Sequence, residues 1–167
     1  GLTRCYFGGS SDTAVPADYD GDGFEEIAIF RPSSGLWAIR GGARNYFGRN
    51  GDQPVPGDYS GDGTDQIAIF RQSTGLWASP SAGRLYFGSN GDIPVPGDYL
   101  ASGTSVSAGI FRPSSGLWAI RGTSRVYFGG SGDEPVAADF DGDGKDDYGI
   151  FRESSGLWAV RDGDRSY

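Results

Sequence analysis

Short apolar segments alternate with polar, glycine-rich turns along the chain. In one such stretch, residues 67–70 (IAIF) are followed by the polar residues 72–75 (QSTG) and then by residues 76–78 (LWA). β-Branched and aromatic residues favour strands, and the glycine that ends the polar segment permits the positive φ of a tight hairpin. The pattern therefore predicts an all-β chain that is built from short antiparallel strands.

The residues on either side of this hairpin predict two further strands. Before it, Pro54-Val55-Pro56 lacks two backbone N–H donors, so this segment is predicted to be an edge strand. After it, a turn at residues 79–83 leads to a strand at residues 85–87 (LYF). Four short antiparallel strands in about forty residues describe one blade of a small β-propeller, with the proline-flanked strand at the inner edge.

The chain repeats this unit four times. Its Trp residues lie at positions 37, 77, 118 and 158, which are 40, 41 and 40 residues apart, and each follows Gly-Leu and precedes Ala. A Tyr-Phe-Gly triplet begins at residues 6, 46, 86 and 127, and Tyr167 begins a fifth copy. We therefore predict a single repeat domain, 1–167, with repeat cores at 9–48, 49–88, 89–129 and 130–167 and a surplus end-of-repeat strand at residues 1–8.

The surplus end motif leaves two architectures open. A β-trefoil has repeats of similar length, but it has three of them. A closed ring of four blades needs the fourth-strand motif four times, whereas this chain begins it five times. We place a closed small propeller first, and an open array, or one completed by a strand from another copy, second.

Composition narrows the possible functions. The 167 residues have a net charge of −8, which disfavours binding to nucleic acid or to an anionic membrane. The absence of His removes the usual general base, and a single Cys allows neither an internal disulfide nor a Cys-based zinc site. No apolar run approaches the length that spans a membrane, and no motif for a nucleophilic Ser, a phosphate loop or a zinc site is present. We assign no catalytic residue and predict a protein that is not an enzyme.

Each repeat has a polar loop between its first two strands, and in repeats 1 and 4 this loop is strongly acidic. Carboxylates occupy loop positions 1, 3, 5 and 9, glycine occupies position 6, and position 7 offers its backbone carbonyl. Like charges at this density repel one another unless a cation neutralises them, and Ca²⁺ prefers six to eight oxygen ligands. The predicted Ca²⁺ ligands are Asp18, Asp20, Asp22, Phe24 and Glu26 in repeat 1, and Asp139, Asp141, Asp143, Lys145 and Asp147 in repeat 4.

The loops of repeats 2 and 3 offer fewer carboxylates. In repeat 2 the predicted ligands are Asp58, Ser60, Asp62, Thr64 through its carbonyl, and Gln66. Because only two of these are carboxylates, we predict a weaker Ca²⁺ site, with Asp65 pointing away from it. Repeat 3 retains Asp98 but has Leu100 and Ser102 at the next two ligand positions and one inserted residue, so we predict that it holds no ion.

The acidic loops differ from EF-hands, because position 12 is Ile29 or Ile150 where an EF-hand has a bidentate Glu, and because strands flank the loop. The loop followed by residues 27–30 (IAIF) resembles the FG-GAP and VCBS-type repeats of integrin α-subunit propellers and of many secreted bacterial proteins. This resemblance covers all four repeats. It implies a β-propeller with Ca²⁺ in the strand-connecting loops and a location outside the cytosol. The blades of that family are longer, so this chain resembles a compact variant, and the number of blades is not implied.

Aromatic and basic side chains are the candidates for contacts with a ligand. Aromatic faces stack on glycans, and a repeated site gives avidity, so the predicted ligand-binding residues are Trp37, Trp77, Trp118 and Trp158. The alternative is packing, because strand alternation places Trp37 and Ile39 on one face. The Tyr residues of the triplets have the same two interpretations. The Arg after each strand-ending Phe is predicted to bind loop carbonyls or carboxylates in its own blade, and Cys5 is either a small buried residue or a link to another chain.

These features predict a non-catalytic, calcium-stabilised module outside the cell that adheres to glycans or to protein surfaces. Loops of low calcium affinity suit the calcium concentration found outside cells. One alternative is a structural subunit of a fibre or surface assembly, completed by strand exchange between copies. The other alternative is a carbohydrate-active enzyme that uses calcium.

Overall fold

The computed structural model describes residues 4–101, 103, 105–123 and 125–161, which form fifteen strands in four antiparallel sheets. Sheet 1 contains β1 (Thr13–Ala14), β2 (Ala28–Arg31), β3 (Leu36–Ile39) and β4 (Arg44–Tyr46). Sheet 2 contains β5 (Gln53–Pro54), β6 (Ile69–Arg71), β7 (Leu76–Ser79) and β8 (Gly83–Tyr86). Sheet 3 contains β9 (Ile93–Pro94), β10 (Gly109–Arg112), β11 (Leu117–Ile120) and β12 (Arg125–Tyr127). Sheet 4 contains β13 (Glu134–Ala138), β14 (Asp147–Arg152) and β15 (Leu157–Arg161).

The four sheets are arranged like the blades of a four-blade β-propeller, and within each sheet the strands follow one another in chain order. The all-β fold and the four-repeat organisation predicted from the sequence are therefore confirmed. Nowhere in the described part of the chain is there a helix with the length and apolar character needed to cross a bilayer.

Proline determines how far the first strand of each sheet extends. In sheet 2 the ladder pairs Gln53 with Phe70 and Pro54 with Ile69, and then stops, because Pro56 has no N–H to donate. One residue later an isolated bridge joins Gly57 to Gln66. Repeat 4 has Ala137 at the proline position, and there β13 is continuous over five residues. The edge-strand prediction is confirmed.

The hairpins between the second and third strands bring Phe and Trp together. Gly75 ends the turn in sheet 2 with φ of 66°, as the sequence predicted. The ladder then places Phe70 directly opposite Trp77, and their ring centroids are 5.0 Å apart. The indole N–H of Trp77 donates to the carbonyl oxygen of Phe87 at 3.0 Å, which ties the fourth strand to the sheet.

The core lies between successive sheets. Trp37 of sheet 1 packs with Ile69 of sheet 2, Trp77 of sheet 2 packs with Ile110 of sheet 3, and Trp118 of sheet 3 packs with Ile150 of sheet 4. Among the described residues, none of the hydrophobic clusters joins sheet 4 to sheet 1. The described residues thus form three equivalent interfaces between successive sheets.

Of the surplus strand predicted at residues 1–8, the part that the structure describes, residues 4–8, belongs to no strand. Residues 1–3 lie outside the described residues. A fourth strand needs the edge of a third strand beside it, and the third strand of sheet 1 is already paired with β4. The predicted end of repeat 4, residues 162–167, also lies outside the described residues.

An ion pair between a half-exposed Arg and a buried Asp joins the two ends of each blade's first hairpin. In sheet 3, Asp92 is fully buried, and its carboxylate accepts hydrogen bonds from Nε and Nη2 of Arg112 at 2.7 and 2.8 Å. The same carboxylate accepts the backbone N–H of Ser89 at 2.8 Å and so closes the turn between repeats. The other pairs are Arg31 with Asp12, Arg71 with Asp52, and Arg152 with Asp133. The prediction that these Arg residues bind within their own blade is confirmed.

Substitution of Asp92 by Asn should lower the free energy of unfolding by about 2 kcal/mol. The amide has nearly the same shape as the carboxylate, but it can accept at one end only, because its other end is a donor that faces the Arg112 guanidinium. Urea denaturation of the variant beside the parent chain measures the loss. The control is Glu153→Gln, a change of the same kind at an exposed position. An Asp92→Asn variant as stable as this control would contradict the role given to the buried pair.

Candidate functional site

The acidic loops of repeats 1, 2 and 4 share one conformation, in which the backbone curls around the carboxylate at position 1. In repeat 1, Asp18 accepts the backbone N–H groups of Gly21 at 2.7 Å, Asp22 at 3.2 Å and Gly23 at 2.9 Å. Gly21 and Gly23 have φ of 79° and 87°, which side chains with a Cβ rarely adopt. Asp58 and Asp139 accept the equivalent three bonds. The spacing of Asp and Gly thus builds the loop by hydrogen bonding alone.

In repeat 1 this curl gathers three of the four predicted carboxylate ligands. Oxygen atoms of Asp18, Asp20 and Asp22 lie within 4.8 Å of one another. The fourth carboxylate, Glu26, is not part of that group, and its Oε2 accepts the backbone N–H of Tyr19 at 2.9 Å. Carboxylate oxygens gathered at this distance are the type of ligand that a hard divalent cation prefers.

Repeat 4 brings together a different set of three carboxylates. Oxygen atoms of Asp139, Asp141 and Asp147 lie within 4.8 Å of one another, so here the position-9 carboxylate joins the group. Asp143 instead accepts the backbone N–H of Lys145 at 2.8 Å. Burial raises the pKa of Asp147, and the charges of Asp141 and Asp143 add to that shift. The ionised form of Asp147 therefore destabilises the ion-free fold as the pH rises through this pKa, and a bound cation would offset that cost.

In repeat 2 an amide group occupies the centre of the loop. The Oε1 atom of Gln66 accepts the backbone N–H groups of Tyr59 at 2.7 Å and Ser60 at 3.1 Å, and this fixes which end of the amide is oxygen. The Nε2 atom then faces the loop, and it donates to Ser60 Oγ at 2.8 Å, Asp62 Oδ1 at 3.4 Å and the Thr64 carbonyl at 2.6 Å. These acceptors are the predicted ion ligands at positions 3, 5 and 7. The prediction that Gln66 contributes an oxygen ligand is therefore wrong, because its nitrogen points into the loop.

Repeat 3 has a reduced version of the same curl. Asp98 accepts the backbone N–H groups of Gly103 at 2.7 Å and Leu100 at 3.2 Å. Leu100 is exposed where the acidic loops carry their position-3 carboxylate. Ser102 lies outside the described residues. That this loop holds no ion stays a prediction.

The loops of successive repeats are joined directly, and sequence reasoning missed this connection. The backbone N–H of Asp65 donates to the Asp18 carbonyl at 2.7 Å, and the Asp65 carboxylate accepts the Asp18 N–H at 3.0 Å. Asp65 thus points away from its own loop, as predicted, and toward the preceding one. Asp146 and Asp98 form the same pair between repeats 4 and 3. Burial raises the pKa values of Asp65 and Asp146, with neighbouring carboxylates contributing, so charge on one loop is felt by the next.

Three of the four Trp residues cannot contact a ligand in this fold. Trp37, Trp77 and Trp118 are 0%, 4% and 0% exposed, because each packs against the following sheet. The prediction of a ligand-binding role is therefore wrong for these three, and the packing interpretation holds. Trp158, whose sheet has no following sheet packed on it among the described residues, is 57% exposed.

The exposed aromatic residues are instead the tyrosines of the fourth strands. Tyr46, Tyr86 and Tyr127 are 73%, 70% and 66% exposed. Each of these Tyr residues follows an exposed Arg by two positions in the same strand. Because side chains alternate along a strand, the Arg lies on the same face as the Tyr. These Arg residues are Arg44, Arg84 and Arg125. We call these six side chains the Arg-Tyr row. The sequence contained this signal as the recurring Arg-x-Tyr-Phe-Gly, but Trp was given priority over Tyr.

A second basic group lies close to each tyrosine of the row. The hydrogen bonds that Arg31 donates to the Asp12 carboxylate raise the pKa of Arg31, and the phenol of Tyr46 adds to that shift. The same relation holds for Arg71 with Tyr86 and for Arg112 with Tyr127. The Arg-Tyr row therefore combines aromatic faces with guanidinium donors at intervals of one blade.

Cys5 is free and exposed, so the interpretation as a small buried residue is wrong. Comparison with known proteins adds no relative, because no family model, no curated protein and no solved structure matches this chain. The functional assignment therefore depends on the loops and surfaces described above.

Proposed function

We propose that the chain is a calcium-stabilised, non-catalytic binding module that acts outside the cell and holds glycans on its Arg-Tyr row. The observation that carries the proposal is the repetition of an exposed Tyr beside an exposed Arg in sheets 1, 2 and 3. Tyrosine rings stack on the apolar faces of sugars, and guanidinium groups donate to hydroxyls and carboxylates. Several weak binding sites on one rigid array suit a polymer with a repeating unit, because each contact after the first is effectively intramolecular.

The loops of repeats 1 and 4 would hold Ca²⁺ and stabilise the array. Support comes from the three carboxylates that each loop gathers and from the resemblance to FG-GAP and VCBS-type repeats. Calcium sites of extracellular modules have dissociation constants of about 10⁻⁴–10⁻³ M, which matches the calcium level outside cells. The proposed location follows from that affinity range.

Calcium should raise the melting temperature of the purified chain relative to EDTA. With the affinities above, calcium at ~10 mM stabilises the folded state by about 1.5–3 kcal/mol per site. For a chain of this length this corresponds to a shift of roughly 3–10 °C per site. Differential scanning calorimetry in calcium, in magnesium and in EDTA measures the shift.

Matched variants show which loops are responsible for the calcium-induced rise in melting temperature. Asp20→Asn and Asp141→Asn each remove one carboxylate from a gathered group and should each abolish about half of the calcium response. Ser60→Ala, at the same loop position in repeat 2, serves as the control and should leave the response unchanged. A melting temperature that is the same in calcium and EDTA would exclude the metal part of the proposal and leave the binding part standing.

Removal of the tyrosine rings should abolish glycan binding. The triple variant Tyr46→Ala, Tyr86→Ala and Tyr127→Ala removes exposed side chains, so the fold should be retained. With stacking on a sugar taken as about 1–3 kcal/mol, the range for base–aromatic stacking, loss at a single site corresponds to about 5- to 150-fold weaker binding. A glycan array that includes neutral and uronic-acid polysaccharides identifies the ligand, and titration calorimetry measures the loss.

The matched control is the triple Tyr→Phe variant at the same positions, which keeps the rings and removes only the hydroxyls. It should bind nearly as well as the parent chain if stacking provides the affinity. Equal binding by the parent and the triple Ala variant would overturn the assignment of the Arg-Tyr row. Release of shortened sugars from a bound polysaccharide would instead support the enzyme alternative.

A further inference from the structure

Two grooves of similar size lie between successive blades, beside the Arg-Tyr row. The first has a volume of about 360 Å³ and lies between Phe47 of repeat 1 and the strands β6, β7 and β8. The second has a volume of about 320 Å³ and lies between Phe87 of repeat 2 and the strands β11 and β12. Arg84 lines the first groove, and Arg125, its equivalent in the next repeat, lines the second. Both volumes fall within the range of about 300–1,000 Å³ that is typical of small-ligand sites.

The strand register explains why an Arg of the row lies in the first groove. Ile69 pairs with Ala78, and Ala78 pairs with Arg84. Directly opposed side chains share one face of a sheet, so all three lie on the same face of sheet 2. Ile69 is buried on that face in the cluster that joins sheets 1 and 2, whereas Arg84 is exposed. The groove therefore has apolar residues at its base and a guanidinium group at its rim.

A second guanidinium group lines the first groove. Arg71 donates from Nε and Nη2 to the buried Asp52 carboxylate at 2.7 and 2.8 Å, and its Nη1 has no hydrogen-bond partner among the described residues. Arg84 takes part in no ion pair within the described part of the chain. Arg71 and Arg84 lie on β6 and β8, which are separated by β7 and therefore by about 10 Å. The two cations thus flank the groove.

The chain keeps its carboxylates away from these grooves. Its net charge is −8, yet none of the described residues that line the two grooves is Asp or Glu. A larger cavity of about 780 Å³, between the loops of repeats 1 and 2, is instead lined by four carboxylates and one Arg. These residues are Asp20, Glu26, Asp62, Asp65 and Arg40. Positive charge is therefore concentrated at the grooves and negative charge at the loops.

We propose that the two grooves select anionic glycans, with a sugar carboxylate or sulfate group held by Arg71 and Arg84 in the first groove and by Arg125 in the second. This inference rests on the proposed glycan-binding function and specifies its class of ligand. A guanidinium group presents parallel N–H donors that match two oxygens of an oxyanion. Phe47 and Phe87, which are half-buried, provide apolar surface for the sugar ring beside its charged group.

Charge complementarity favours an anionic glycan over a neutral one. Hydrogen bonds between a guanidinium group and a charged oxygen are about twice as strong as those between neutral groups. An oxyanion also supplies the partner that Arg84 lacks among the described side chains. A polymer with one anionic group in each repeating unit contacts both grooves, and the second contact is then effectively intramolecular.

Titration calorimetry with two matched pairs of polysaccharides tests the charge requirement. Hyaluronan carries a carboxylate in each repeating unit, and carboxyl-reduced hyaluronan is its neutral form. Dextran sulfate and dextran are the corresponding pair for sulfate. The titrations are made at an ionic strength of about 0.15 M, which screens charges beyond about 8 Å.

At least one charged polymer should bind tenfold or more tightly than its neutral form, and the pair that shows this preference identifies the anionic group. A smaller preference in both pairs, or no binding of either charged polymer, overturns the inference. The proposed function would still stand in that case if a neutral glycan binds to the parent chain and not to the triple Tyr→Ala variant. Failure of every glycan to bind would overturn both.

Matched Arg variants locate the contact. Arg84→Gln should weaken binding of the charged polymer about fivefold, the upper end of the range for an exposed ion pair. Addition of Arg125→Gln should give a loss of about 25-fold, because the two sites are distant and their effects add as free energies. Arg49→Gln is the control, since it removes the same charge from an exposed Arg that lines neither groove. Equal losses for Arg84→Gln and Arg49→Gln would show general attraction between charges and contradict the proposed contact.

A single-stranded thymidine oligonucleotide distinguishes glycan recognition from binding of any polyanion. The acidic loops should repel this ligand, and its phosphates are not attached to a sugar ring of the glycan type, so it should bind at least tenfold more weakly than the preferred polysaccharide. Binding as tight as that of the polysaccharide would mean that the grooves recognise charge alone, and it would overturn the assignment to glycans.

Discussion

Replacement of Trp118 by Ala should lower the free energy of unfolding by about 3–5 kcal/mol. Trp118 is fully buried, its indole donates to the Phe128 carbonyl, and its ring packs against Phe111 and Ile150. The substitution removes the ring from the interface of sheets 3 and 4 and leaves a cavity that the short strands can close only in part. Urea denaturation followed by circular dichroism measures the loss.

Trp158→Ala is the matched control for this prediction, because it changes the same residue at the same position of the repeat. Trp158 is 57% exposed, so its removal should cost less than about 1 kcal/mol at protein concentrations where the chain is monomeric. Comparable losses at the two positions would contradict the exposure of Trp158, since they would mean that its side chain is buried within a single folded chain.

The repeat made the fold predictable. Because Gly, Trp and Pro recur at fixed intervals, the strand order, the tight turns and the proline-limited edge strands all followed from residue chemistry. The sequence could not decide whether the ring closes, since that depends on how far each sheet is rotated from the last. The structure gives three equivalent interfaces, and its described residues contain no cluster between sheets 4 and 1.

The acidic loops were predictable as a motif, but the direction of each side chain was not. Each position-9 carboxylate accepts the backbone N–H of the residue after position 1, and spacing alone could not show that Asp147 also joins its group while Glu26 does not. The buried partner of Arg112 was missed for a similar reason, because Asp92 lies 20 residues earlier in the chain. Burial of Trp118 was one of two stated interpretations, and only the packing of successive sheets could select it.

The contrast between repeats 1 and 2 shows two ways of organising the same loop. In repeat 1, three carboxylates face one another. In repeat 2, the Gln66 amide lies among the corresponding acceptors and satisfies them with N–H groups. An amide nitrogen and a bound cation both present positive charge to oxygen ligands, so the Gln66 amide occupies the position that an ion would take; the weaker Ca²⁺ site in repeat 2 stays a prediction.

Gln66→Glu should therefore make the stability of the second loop more dependent on calcium than it is in the parent chain. The introduced carboxylate can still accept the Tyr59 N–H, as Glu26 accepts the Tyr19 N–H in repeat 1. Its other oxygen replaces the donating amide and faces the carboxylates of Asp58 and Asp62, so hydrogen bonds become repulsions. In EDTA the free energy of unfolding should fall by about 2–3 kcal/mol. Calcium at ~10 mM should restore about 1.5–3 kcal/mol of this loss.

Gln66→Ala separates the loss of the amide from the gain of a ligand. This variant also lacks the two N–H donors of the amide, but it offers no oxygen to an ion, so it should be destabilised in EDTA and in calcium alike. Denaturant titrations of the parent and both variants, each with and without calcium, measure the two effects independently. A calcium response of Gln66→Glu no larger than that of the parent chain would show that the loop centre is not a cation position. An unaffected Gln66→Ala variant would show that the amide does not organise the loop.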